Sequence, residues 1–146
     1  MTPEQVFSIA NTVAMVGWVV LIAGWRWKPS ATLVSAAIIP LLFAILYSYL
    51  AVAHFGESGG GFSSLAAVRQ LFSNPWALLA GWIHYLAFDL FVGSWEVRDA
   101  KRNGVPFLLV VPCLALTFLF GPAGLLLYFV VRTIRAKSFT ISTSAF

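Results

Sequence analysis

Of the 146 residues, 60% are apolar and 10% charged, with a mean hydropathy of +0.90, whereas an ordinary soluble domain carries roughly 25% charged residues. A small soluble fold keeps too much surface for its volume to hide that much apolar material, so a soluble globular domain is excluded and lipid is required as solvent. The net charge of +4 does not indicate nucleic acid as a partner, because the cations sit in short clusters beside apolar runs, where membrane flanks meet lipid head groups.

The chain opens Met1-Thr2-Pro3-Glu4 with no basic n-region, and the apolar run that follows is too long for a signal peptide. It reads as a first spanning helix over about residues 5–25, closed by Trp25-Arg26-Trp27-Lys28-Pro29, since tryptophan and cations favour the interface and proline stops a helix. A second run covers about 31–55 and contains Pro40. Glu57-Ser58-Gly59-Gly60-Gly61 then forms a turn. Leu65, Val68 and Phe72 recur at helical spacing opposite Ser64, Arg69 and Ser73, which predicts a short interfacial helix. Asn74-Pro75 ends it and starts a third run, about 76–96, matching a hydrocarbon core of roughly 30 Å. Glu96, Arg98, Asp99, Lys101 and Arg102 read as a solvated turn with local i,i+3 or i,i+4 pairing. A fourth run, about 105–131, is interrupted by Pro112 and by Gly121-Pro122-Ala123-Gly124.

Nothing alternates with a period of two, so helices and not a barrel satisfy the backbone in lipid. The expected fold is all-α: a four-helix transmembrane bundle forming one domain over 1–137, with a polar tail at 138–146 and the short interfacial helix between helices two and three. Four crossings put Arg69, Arg132, Arg135 and Lys137 on the N-terminal side. Arg26, Lys28, Arg98, Lys101 and Arg102 fall on the other. That division is nearly even. The cations after the first helix, with none before it, favour a cytoplasmic or stromal first loop.

The informative residues are the polar ones inside apolar runs. Asp89 lies mid-membrane, where an ionised carboxylate costs ~2.5–3.5 kcal/mol on insertion scales. It must face the bundle interior, be paired, or be protonated. At ~100° per residue, Trp82, Tyr85, Asp89, Gly93 and Glu96 share one face of the third helix. His84 falls ~140° away with Ala77, Gly81 and Phe88. Ala77 and Gly81 make a small-residue step for a neighbouring backbone, and Asn11, beside Ala10, Ala14 and Gly17, reads as an interhelical hydrogen-bonding residue. His54 falls at the interface. No HExxH, cysteine pair or Glu-xx-His motif supplies a metal site. Pro122 lacks an N–H and would clash with the carbonyl of Phe118, while Gly121 and Gly124 permit an unwound backbone. A break near Gly121-Pro122, or a plain kink, follows.

Trp82-Ile83-His84 with Asp89-Leu90-Phe91, the charged turn after them, and the stretch from Cys113 to Pro122-Ala123-Gly124 resemble a family of small polytopic membrane proteins. It is typified by the plant abscisic-acid-deficient protein required for neoxanthin formation and has bacterial relatives. His84 and Asp89 match its motif positions; the family's frequent histidine at the start of the fourth helix is Phe107 here. The resemblance implies a carotenoid epoxide isomerase in a bacterial inner membrane, acting without a cofactor. Protonated Asp89 would be the acid and neutral His84 the base, with Trp82, Tyr85, Phe88 and the broken helix at Pro122 lining the ligand slot. Its partners would be membrane lipid and a carotenoid or other apolar isoprenoid, with homo-oligomerisation open. Two other readings fit the same residues: a non-catalytic carotenoid-, quinone- or lipid-binding subunit, and a proton or solute pathway component.

Overall fold

The structure is a computed structural model that describes residues 1–24 and 33–136; the closing segment of the first helix at 25–29 and the tail at 138–146 lie outside the described residues. Every element among the described residues is helical. In chain order they are α1 (Pro3–Ala23), a π-turn (Val34–Ile38) running into α2 (Ile39–His54), a 3-10 turn (Phe55–Ser58), α3 (Leu65–Leu71), α4 (Pro75–Arg102), α5 (Phe107–Phe120) and α6 (Pro122–Ala136). Among the described residues, three segments are long and apolar enough to cross a membrane: Pro3–Ala23, Val34–Glu57 and Pro75–Arg102. The chain divides into two compact units, Met1–Phe91 and the residues from Val92 onward, and α4 contributes to both.

In the first unit, α1 starts two residues before its apolar run because a capping box begins it. The Thr2 hydroxyl accepts from the Gln5 amide at 3.3 Å, and the Thr2 amide donates to Gln5 Oε1 at 2.9 Å. Gly17 brings α1 close to its neighbours: a Cβ there would stand 2.7 Å from Leu90 Cδ2 and 3.0 Å from Ile39 Cδ1. The fully buried Ser35 hydroxyl donates to the Gly17 carbonyl at 2.8 Å. Pro40 has no amide hydrogen to give, and the wide π-turn directly before α2 takes its ring without a clash against the preceding turn. His54 ends α2, stacked on Trp76 at 5.1 Å and hydrogen-bonded to Glu57 at 2.9 Å. The short helix α3 falls inside the stretch whose spacing forecast it, capped by Ser64 on the Ala67 amide at 3.1 Å.

The second unit corrects two expectations. The charged stretch from Glu96 to Arg102 is not a solvated turn; it continues α4, and Glu96 and Asp99 are buried. Their partners come from distant sequence. Thr117 Oγ1 donates to the Glu96 carboxylate at 2.9 and 3.1 Å. Asp99 Oδ2 accepts from both the Tyr128 hydroxyl and Arg132 Nε, each at 2.6 Å. A helix can extend through such charges once other helices cover and neutralise them.

The fourth apolar run, moreover, is two helices and not one span. Gly121, at φ 41, separates α5 from α6 in a conformation that side chains rarely adopt. The chain folds back so sharply there that a Cβ on Gly124 would sit 2.1 Å from the Thr117 amide nitrogen. In one continuous helix those two positions would be about 10 Å apart. The break at Gly121-Pro122 is therefore a hairpin turn, not a kink, and the described residues show three helices of spanning length and not clearly a four-helix bundle.

Candidate functional site

Within the first unit, Trp82, Tyr85 and Asp89 project from one face of α4, as their spacing requires. Asn11 on α1 holds this face: its Nδ2 donates to the Phe7 carbonyl at 2.9 Å, leaving Oδ1 to accept from Trp82 Nε1 at 3.1 Å. The Trp82 indole then lies between two aromatic neighbours, Phe7 at 5.5 Å and Tyr85 at 5.2 Å between ring centroids. Phe72, just after α3, adds a further wall. Gly81 leaves room for it, since a Cβ there would meet the Phe72 ring at 2.9 Å. The small-residue step thus receives a ring at this point and not a helix backbone.

These side chains surround an open groove of about 610 Å³, bounded by Pro3 and Glu4 at the start of α1, Pro75 at the start of α4, and Phe7, Trp82 and Tyr85 along its length. That volume suits a sizeable organic ligand, given typical pockets of ~300–1,000 Å³. Apart from Glu4 and the Tyr85 hydroxyl, the lining is apolar.

Asp89 sits one helical turn beyond Tyr85 and is hydrogen-bonded to the Tyr85 hydroxyl. The residue is 8% exposed, and its Oδ2 has no partner among the described residues. A buried polar oxygen without a partner costs ~1–3 kcal/mol, and the cost is greatest for an ionised carboxylate in lipid. Tyr85 thus lines the groove and bonds Asp89, which does not line it.

The remaining sequence-derived candidates lie elsewhere. His84 is on the face turned toward α2, with its ring 5.5 Å from Tyr47 and 4.6 Å from Phe88. Neither His84 nor Phe88 lines the groove. Pro122 begins α6 in the second unit, at the hairpin turn. The structure therefore brings Trp82 and Tyr85 together with Asp89 and leaves His84, Phe88 and Pro122 outside this site. Sequence reasoning missed Phe7 and Phe72 as walls, because both sit in apolar contexts where an aromatic carries no distinguishing signal. It also missed Thr117, Tyr128 and Arg132 as partners of Glu96 and Asp99. The i,i+4 spacing of Tyr128 and Arg132 was a legible sign of one polar face on α6.

Apolar helices of spanning length, with a carboxyl buried behind an apolar groove, define a helical membrane protein whose polar chemistry is kept away from lipid. The chain belongs to the ABA DEFICIENT 4-like family, whose family model matches residues 5–128. No curated protein and no solved structure matches the chain.

Proposed function

We propose that this is a multi-pass protein of a bacterial inner membrane that binds an oxygenated carotenoid, or a similar apolar isoprenoid, in the groove beside Trp82 and Tyr85 and isomerises it by proton transfer. The observation that carries the reading is the buried Asp89 carboxyl, with an unpartnered oxygen, linked through Tyr85 to an apolar groove. Family membership supports the choice of ligand, since the family takes its name from a protein of the neoxanthin branch.

The chemistry balances within one residue. An epoxide oxygen accepts a proton delivered from Asp89 through the Tyr85 hydroxyl, and one C–O bond opens as positive charge spreads into the polyene. The carboxylate left behind takes up a proton lost from the adjacent polyene carbon by the same route. No net proton is consumed, and the product is an isomer of equal mass, so the reaction requires no redox cofactor. The faces of Trp82 and Phe7 are suited to stabilising the cationic intermediate. His84 has no role at the groove in this reading, because its ring packs against Tyr47 and Phe88.

Expression in a host that makes an epoxidised carotenoid tests this. The wild type should convert part of the pigment to an equal-mass isomer, and Tyr85→Phe and Asp89→Asn should each abolish conversion while membrane yield holds. A second reading, a non-catalytic carotenoid holder, is favoured by the position of Asp89 behind Tyr85 and not in the groove wall. It prevails if pigment co-purifies with the wild type but emerges unaltered. If no carotenoid binds or changes, both readings fail.

A further inference from the structure

We propose that α5 and α6 form a re-entrant hairpin that dips into the bilayer from one leaflet and returns to the same face, so that the chain crosses the membrane three times and its cationic end rests on anionic lipid head groups.

Length is the first argument. The 14 residues of α5 and the 15 of α6 rise only about 21 and 22 Å at 1.5 Å per residue, against a hydrocarbon core of roughly 30 Å. Neither helix alone reaches the far side.

The turn between them is the second. Leu119 and Phe120 at its approach are 57% and 64% exposed, and Phe118 through Gly124 contains no charged or hydrogen-bonding side chain. A turn that emerged into water would place these residues among head groups with nothing polar to meet them; inside the acyl chains they are matched to their surroundings. Backbone at such a turn needs internal satisfaction in lipid. Three such bonds are made: the Gly124 and Leu125 amides donate to the Gly121 carbonyl at 3.0 and 3.3 Å, and the Gly121 amide donates to that of Thr117 at 3.0 Å.

Where the hairpin ends is the third. Arg132 pairs with Asp99 near the end of α4, so the last turns of α6 come back to the level at which α4 finishes. Lys101, Arg102 and Arg135 are all exposed at that end. With a returning hairpin the near-even charge division of a four-crossing chain disappears. By position in the chain, every lysine and arginine except Arg69 then belongs to one side of the membrane. The positive-inside rule makes that side cytoplasmic, and a surface of this kind attracts acidic lipids. The N-terminus and the segment between α2 and α4 fall on the opposite side.

Single cysteines read by a membrane-impermeant maleimide test the arrangement in spheroplasts, before and after lysis. The unsubstituted chain, whose Cys113 is buried, supplies the blank. Ser63→Cys should label on intact spheroplasts. Lys101→Cys and Arg135→Cys should both label only after lysis, and Leu119→Cys only after detergent. If Leu119→Cys accumulates poorly, Ala123→Cys, also exposed at the turn, replaces it. Labelling of Arg135→Cys from the side opposite Lys101→Cys would restore a single fourth span and overturn the proposal. Labelling of the turn from the Ser63 side would mean that the hairpin crosses completely; labelling from the Lys101 side would mean that it lies outside the bilayer. Either result also refutes it, and reversal of the whole pattern would refute the cytoplasmic assignment. None of these outcomes depends on whether a carotenoid binds.

Discussion

Replacing Asp99 by leucine should destabilise the second unit strongly, and replacing Arg132 by methionine in the same chain should reverse most of that loss. Asp99 Oδ2 accepts from Tyr128 and Arg132 at 2.6 Å each, with the arginine fully buried. Leucine fills a comparable space, so the effect comes from removing a charge and not from a cavity. Taking away one partner of a buried ion pair costs ~3–5 kcal/mol, which is more than a hundredfold in the folding equilibrium at its lower bound. For a small domain a loss of ~3 kcal/mol lowers the melting temperature on the order of 10 °C. Asp99→Leu with Arg132→Met exchanges the pair for apolar groups, which is commonly neutral or better. Such a chain still holds the Tyr128 hydroxyl without its Asp99 acceptor, a cost of ~1–3 kcal/mol that Tyr128→Phe should remove in a triple variant. Thermal unfolding in detergent, followed by tryptophan fluorescence, measures all of these, because Trp95 stands 5.5 Å from Tyr128 and 5.6 Å from Phe129. If Asp99→Leu alone melts with the wild type, or the double variant is no better than the weaker single, the buried pair does not hold this unit together.

Three further outcomes follow from the geometry. Gly124→Leu drives a side chain into the Thr117 backbone, 2.1 Å from the amide nitrogen at Cβ alone, and should cost at least the ~1–3 kcal/mol typical of overpacking; Gly124→Ala should lose less, and detergent melting ranks them. Asn11→Leu removes the bond to Trp82 Nε1, a membrane hydrogen bond worth ~0.6 kcal/mol on average, so folding should change little while pigment retention falls; unchanged retention would show that Trp82 needs no anchor. Asp89→Leu should be made in equal or greater amount, since leucine removes a transfer cost of ~2.5–3.5 kcal/mol, yet lose pigment conversion in the carotenoid host.

The sequence exposed the helical class and the apolar runs directly, because hydropathy registers lipid as solvent. It also exposed the shared face of Trp82, Tyr85 and Asp89, which is a matter of helical periodicity alone. The turn at Gly121-Pro122 was visible as a break but not as a reversal. Proline and glycine specify that a helix cannot continue, whereas the direction it takes next depends on Gly124 meeting Thr117. The stretch from Glu96 to Arg102 misled for a related reason. Charges read as solvated when their partners lie beyond local range, and Arg132 is 33 positions from Asp99. The groove required three separate segments to converge, with Phe7 from α1 and Phe72 from after α3 joining the tryptophan and tyrosine of α4. Periodicity within one helix carries no information about that convergence.

That same separation of 33 positions sets an order of events during synthesis. Chains emerge at ~5–20 residues per second, so Glu96 and Asp99 wait about 2–7 seconds before Arg132 exists to neutralise Asp99. Throughout that interval the end of α4 carries two carboxylates that lipid will not accept, and the aqueous surface of the membrane is where they are tolerated. The Asp99 pair therefore cannot close until α6 has been made. A chain that stopped between Phe120 and Arg132 would hold Thr117 for Glu96 but leave Asp99 without its arginine.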